Sequence, residues 1–295
     1  MLGAVVGAAT PATARAQACC AGGTALSPGR LNLHESELVG LQLKGTGITG
    51  SFDGGGRFIA SPSGVAEADL EQDLIATLRV LTRGQFTVVL PLLETWRHAS
   101  GISDSGGGVG DIQVNLRWDA TDAGASRTIP GVAVLAALLL PTGLPPESAT
   151  HVLSTDATGA GMVQGTLGLS LEQTFGKVLV NLTGSTTLHT ARTVLGMHTQ
   201  LGPSFNGFAA LGYSFDAGPV AALTASYTGE LDSLNDGAAQ PGSARRQLRF
   251  GISGGYALSD WWRVQGGVFG DPPAAHFGQN QPTGAGMSAT LLRAW

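Results

Sequence analysis

Charge is scarce in this chain. Only 13 % of its 295 residues are Asp, Glu, Lys or Arg, against a usual share of about 25 %. Lysine occurs twice, at Lys44 and Lys177. A coiled coil needs abundant Glu and Lys and is excluded. Net charge is −5, and the only basic cluster is Arg245, Arg246 and Arg249, so no nucleic-acid partner is expected. Cysteine is nearly absent. Cys19 and Cys20 are adjacent and cannot staple a fold of this size. Long hydrophobic runs are missing as well. Beyond the N-terminus the longest, residues 132–140, is nine residues, whereas a membrane-spanning helix needs about 20.

What is present is apolar and glycine-rich: 43 % hydrophobic residues and 45 glycines. That is too greasy for disorder, and no Gly-X-Y period exists for a collagen. The first residues read as an export signal. An apolar stretch over 2–9 precedes Ala16-Gln17-Ala18, a small-x-small cleavage pattern before Cys19. The usual basic start is missing, and a lipoprotein signal fits poorly because Leu is expected three residues before the cysteine. The expected organisation is a signal peptide over 1–18, a periplasmic segment over 19–35 and a barrel over 36–295.

The mature chain alternates apolar and polar residues, the mark of strands with two unlike faces. Ile112, Val114, Leu116 and Trp118 share a face opposite Asp111, Gln113, Asn115, Arg117 and Asp119. Val163, Leu167, Leu169 and Leu171 oppose Gln164, Thr166, Ser170 and Glu172. Val178, Val180, Leu182 and Leu188 oppose Asn181, Thr183, Ser185, Thr187 and His189, with Leu179 and Thr186 breaking the pattern. Twelve such segments fall at 36–48, 65–81, 84–98, 109–120, 130–141, 161–174, 177–190, 205–215, 218–230, 245–257, 260–270 and 284–295. They exceed the soluble strand norm of about 5–6 residues and match the roughly 9–11 of a tilted membrane strand. Short and long links alternate, except for a moderate one at 121–128. Short turns on one side and long loops on the other are the habit of outer-membrane barrels. With an even strand number both termini lie in the periplasm. Trp96, Trp118, Trp261, Trp262, Trp295, Tyr213, Tyr227 and Tyr256 fall near strand ends, where interfacial aromatics gather. The fold expected is an all-β, up-and-down antiparallel transmembrane barrel of about 12 strands in the outer membrane.

Three glycine-rich stretches mark strand ends: Gly108-Val109-Gly110-Asp111, Leu139-Leu140-Pro141-Thr142-Gly143 and Thr158-Gly159-Ala160-Gly161. In order and spacing they resemble the outer-membrane barrel family associated with meta-pathway phenol degradation, over about residues 36–295. The resemblance implies a passive channel for small, hydrophobic or aromatic compounds, distantly similar to hydrophobic-compound and fatty-acid transport barrels.

A carboxylate on the lipid face is costly, so Glu67, Asp69, Glu71 and Asp73 of the second segment should face the lumen, with Arg79. The expected pore-lining set is these five plus Asp111, Gln113, Asn115, Arg117, Glu172, Asn181, His189, Arg249 and Arg263. Such a wall would favour cations or polar solutes. Alternatively the carboxylates pair with Arg117, Arg249 and Arg263 and plug a non-conducting structural or surface-binding barrel. A hydrolase is the remotest reading. Gly251-Ile252-Ser253-Gly254-Gly255 has the nucleophile-elbow spacing but lies within a strand with no following helix. Asp104-Ser105-Gly106-Gly107 resembles the nucleophile region of chymotrypsin-like proteases, and Ser170 or Ser253 with His189 is the other candidate pairing. No cofactor is expected. Cys19, Cys20 and His34 are the only candidate metal ligands, and vicinal cysteines hold one ion poorly.

Overall fold

The computed structural model describes residues 29–124, 126 and 128–295. Cys19, Cys20 and the expected signal peptide lie outside these residues. Twelve long strands form the body: β1 Glu37–Phe52, β2 Ala66–Val80, β3 Gly84–Ala99, β4 Ile112–Thr121, β5 Gly131–Leu140, β6 Gln164–Phe175, β7 Val178–His189, β8 Ser204–Ser214, β9 Val220–Glu230, β10 Arg245–Ala257, β11 Trp262–Gly270 and β12 Gln281–Ala294. Each pairs antiparallel with its neighbour in sequence. The first pairs with the last, from Leu38↔Ala294 to Phe52↔Gln281. The sheet is therefore closed, and among the described residues no long strand leaves an edge unpaired. Backbone contacts seal the seam at the end carrying the chain termini: the Ser36 and Glu37 N–H groups donate to the Trp295 carbonyl, and the Trp295 N–H donates to that of Glu37.

The alternation sets the two faces. On β2, Leu74, Leu78 and Val80 point out and are 45–48 % exposed, while Ile75 and Thr77 point in and are at most 3 % exposed. Leu179, which breaks the β7 pattern, turns inward and is 1 % exposed; Leu182 and Leu188 point out. Two polar outward residues partner each other: the Gln72 amide donates to Glu94 at 3.0 Å. Arg293, also outward, lies against Trp262 and Trp295, its guanidinium 5.6 and 5.5 Å from the ring centroids. Cation–π contact suits an arginine at an aromatic rim.

Links at the terminus-bearing end are short, apart from 122–130. The turn at 176–177 uses Gly176 at φ +64°, a left-handed conformation in which glycine bears no Cβ penalty. At the other end the links are long and partly ordered. The stretch 98–108, expected as a loop, is instead a hairpin: Ile102–Val109 folds back on β3 after a turn at Ser100 and Gly101, both at positive φ. The two loops 190–203 and 231–244 zip into a small sheet of their own through Thr199↔Asn235 and Gln200↔Leu234.

Candidate functional site: the barrel lumen

The terminus-bearing half of the lumen is filled. Residues 29–36 run into it before β1 begins. The Thr77 hydroxyl donates to the Gly29 carbonyl at 3.0 Å, and the Leu31 N–H donates to Gln85 at 2.9 Å. Arg79 donates from Nε to the Glu35 carbonyl at 2.8 Å and from Nη2 to that of Asn32. Arg263 donates to the Glu35 carboxylate at 3.0 Å. Leu31 packs into an apolar layer with Leu38, Ile75, Val89, Leu292 and Ala294. Burying one such leucine is worth about 1.5–3 kcal/mol.

Beside this layer lies a buried ionic cluster. Arg30 and Arg117 both engage Glu172, Arg117 at 2.9 Å. Arg117 also meets Asp119 at 2.8 Å, and Arg30 stands 3.7 Å from it. Asn181 donates to Glu172 at 3.4 Å, and Gln85 to Asp119 at 3.3 Å. Charges this deep are stable only when paired and hydrogen-bonded.

The expected carboxylate ladder does face inward, but its partners are strand neighbours. Glu67 pairs with Arg97 at 3.0 Å and Glu71 with Lys44 at 2.6 Å. Asp69 accepts from Thr95 at 2.8 Å and Asp73 from Gln42 at 3.2 Å. This corrects the alternative reading, in which they pair with Arg117, Arg249 and Arg263. Arg117 serves Glu172 and Asp119; Arg249 binds Asp271 at 2.8 Å and lies 4.7 Å over the Phe269 ring; Arg263 holds Glu35. Cross-strand neighbours about 5 Å apart win because they lose less side-chain entropy than partners reached across the lumen. Gln113 donates to Asn115 at 2.6 Å. His189 shares a hydrogen bond of 3.0 Å with the Gly202 carbonyl. Ser170 is taken up by Glu172 and Thr183. Among the described residues no group of three or more His, Cys, Asp or Glu is placed to hold a metal ion.

Asp111 has a different task. Its two oxygens accept from the Gly143 N–H at 2.9 Å and the Ala160 N–H at 2.6 Å. The three glycine-rich stretches thus meet at one carboxylate. The Thr158 hydroxyl donates to the Val109 carbonyl at 2.8 Å, and that of Thr142 to the Gly110 carbonyl at 2.8 Å. Gly143 and Gly159 face each other so closely that a Cβ on either would stand 2.7 Å from the other's backbone. Arg97 also ties this loop down by donating to the Leu153 carbonyl at 2.6 Å. Asp111→Ala is expected to leave two backbone N–H groups without partners, costing about 1–3 kcal/mol. Faster proteolytic cleavage within 141–163, with the strands intact, would register the loss.

This loop carries Asp156, and Asp104 of the neighbouring hairpin 102–109 faces it. The Thr150 N–H donates to Asp156 and holds its carboxyl near pH 2 rather than the ordinary 3.8. The Leu153 N–H likewise holds Asp104 below its ordinary value. A lowered carboxyl stabilises the loop above about pH 3.8, and that support fades as pH falls toward about 2. Hydrogen exchange at Thr150 and Leu153 is therefore expected to be flat from pH 7 to 5, after correction for intrinsic rate, and to rise only in stronger acid.

Beyond the filled half lies an open vestibule of about 660 Å³. Gln42, Lys44, Glu71, Asp73, Asp111, Gln113 and Arg249 line one part of it; hydroxyls and amides of β7–β9, β11 and β12 line the rest. The signals missed in the sequence are the Gly29–Ser36 insertion and the β8–β12 part of this wall.

The closed barrel has counterparts among known proteins. A family model described as "Putative MetA-pathway of phenol degradation" matches residues 54–288. The chain belongs to this family. All three glycine-rich stretches fall inside the match. The solved COG4313 outer membrane channel from Pseudomonas putida F1 superposes with a TM-score of 0.73 at 14 % identity, covering 90 % of this chain and 97 % of that one. The translocator domain of the autotransporter NalP from Neisseria meningitidis superposes at 0.50 and 11 % identity, covering 90 % of each chain. At such identities the likeness is one of fold. No curated protein sequence matches the chain.

Proposed function

We propose that this protein is an outer-membrane channel for small solutes, closed at its periplasmic end by residues 29–36. The observation that carries the reading is Leu31, 2 % exposed inside the lumen, in an apolar layer otherwise built from barrel wall. The fold likeness to an outer membrane channel, the outward apolar belt and the aromatic rims support the membrane placement. Short turns and both termini belong on the periplasmic side by the habit of such barrels. Twelve of the fourteen lining residues expected from the sequence divide accordingly. Glu67, Asp69, Glu71, Asp73, Gln113 and Arg249 belong to the solute path. Arg79, Arg117, Glu172, Asn181 and Arg263 belong to the closure, and Asp111 to the outer loop.

Around the vestibule two cations, Lys44 and Arg249, stand against four carboxylates, Glu71, Asp73, Asp111 and Asp271. Once open, the channel is expected to prefer potassium over chloride by about threefold, a modest bias because most of these charges are paired. Asp73→Asn should bring the reversal potential in a salt gradient toward zero. A chloride-preferring current would refute this. The second reading, a barrel that conducts nothing, is favoured by one observation, the buried Arg30, Arg117, Asp119 and Glu172 cluster. Conductance after release of residues 29–36 separates the two.

A further inference from the structure

We propose that the vestibule is a binding site for a small, uncharged, hydroxyl-rich solute of one or two sugar rings. Onward passage of that solute rests on the channel reading above; its binding does not.

The two halves of the vestibule wall differ in how their hydrogen-bonding capacity is used. On the β1–β4 side it is spent within the protein: Gln42 on Asp73, Lys44 on Glu71, Gln113 on Asn115. On the other side Thr183, Thr187 and Thr290 are bonded within the wall, whereas the side chains of Asn206, Thr224, Ser226, Thr228, Gln265 and Ser288 line the cavity and make no hydrogen bond to another described residue. Asn206 stands opposite Thr228, and Ser226 opposite Phe208, on paired strands. Neighbours across strands are about 5 Å apart and alternate residues along a strand about 6.6 Å. Groups so spaced can each take a different, non-adjacent hydroxyl of one sugar ring, and both those hydroxyls and every group on this wall can donate and accept. Phe208 also lines the cavity and offers an apolar face for the ring's C–H groups.

The chemistry discriminates. An anion finds no cation to spare, since Lys44 is held by Glu71 and Arg249 by Asp271, and it meets excess negative charge. A simple phenol would satisfy one or two groups and leave the others to water, so it gains less than a polyol that engages several at once. The volume, about 660 Å³, lies within the range of small-molecule pockets.

The test is saturation-transfer NMR on the full-length protein in detergent. The probes are a neutral disaccharide, a sugar acid, an amino sugar and phenol, applied to the native chain and to an Asn206→Leu/Thr228→Val/Gln265→Leu variant. Heat-modifiable gel mobility reports whether the variant folds; if it does not, Gln265→Leu alone takes its place. Transfer to the neutral sugar is expected to exceed that to phenol and the sugar acid by about tenfold and to collapse in the variant. Equal transfer in the variant, or stronger transfer to phenol or the sugar acid, would overturn the assignment. Potassium current through an unplugged barrel reports separately on the channel reading. Current without sugar binding sinks this inference alone, and sugar binding without current sinks only the channel.

Discussion

Replacing Glu172 by Ala is expected to lower the unfolding free energy by about 3–5 kcal/mol. Glu172 is 3 % exposed and takes both Arg30 and Arg117. Its removal leaves two guanidinium groups in a largely closed space, with Asp119 as the shared acceptor. Uncompensated buried charge costs more than the pair was worth, because its desolvation is no longer offset. Glu172→Gln keeps the shape and a hydrogen-bond acceptor and should cost about half as much. Urea unfolding followed by tryptophan fluorescence measures both. An alanine variant within about 1 kcal/mol of the parent would mean that water reaches the cluster and screens it.

Leu31→Asp is expected to expel residues 29–36 from the lumen. The substitution places a carboxylate in a layer made by Leu38, Ile75, Val89, Leu292 and Ala294. The native leucine contributes about 2 kcal/mol there, and an unpaired carboxylate would add a desolvation cost of several kcal/mol. Only the Ser36 backbone contacts at the seam are shared with the barrel's ladder, so the segment leaves and the wall remains. The Leu31 N–H, which donates to Gln85, should lose its hydrogen-exchange protection while amides in β1 keep theirs. Release should also free Arg79 and Arg263, whose partners include the Asn32 and Glu35 carbonyls and the Glu35 carboxylate. Loss of protection throughout β1 would mean instead that the segment is integral to the wall.

The barrel was legible in the sequence because alternation is a property of each strand by itself. Ile112–Trp118 against Asp111–Asp119 needs no knowledge of the rest of the molecule. Strand ends were less so. Hairpin 102–109 carries three consecutive glycines, Gly106, Gly107 and Gly108, and without side chains no period can show. The ladder Glu67–Asp73 declared its direction, since lipid forbids the other face. Its partners could not be read, because pairing depends on strand register: Lys44 stands opposite Glu71 only through the β1–β2 alignment. Asp111 was legible as inward but not as the clasp of the glycine-rich stretches, which are brought together from as far as 49 residues apart. The inserted segment did leave a trace. Ile75 sits on the polar face of β2, and Val89 on the same face as Gln85 and Thr87. Apolar residues on lumen faces at one level need an apolar partner, and Leu31 is that partner.

Single-channel recording in planar bilayers, comparing the native protein with Leu31→Asp, tests the central claim most directly. The native chain should show a closed or very small conductance, and the variant a stable one larger by about tenfold or more, with a cation preference. A large steady conductance from the native protein, or no difference between the two, would contradict a lumen closed by residues 29–36.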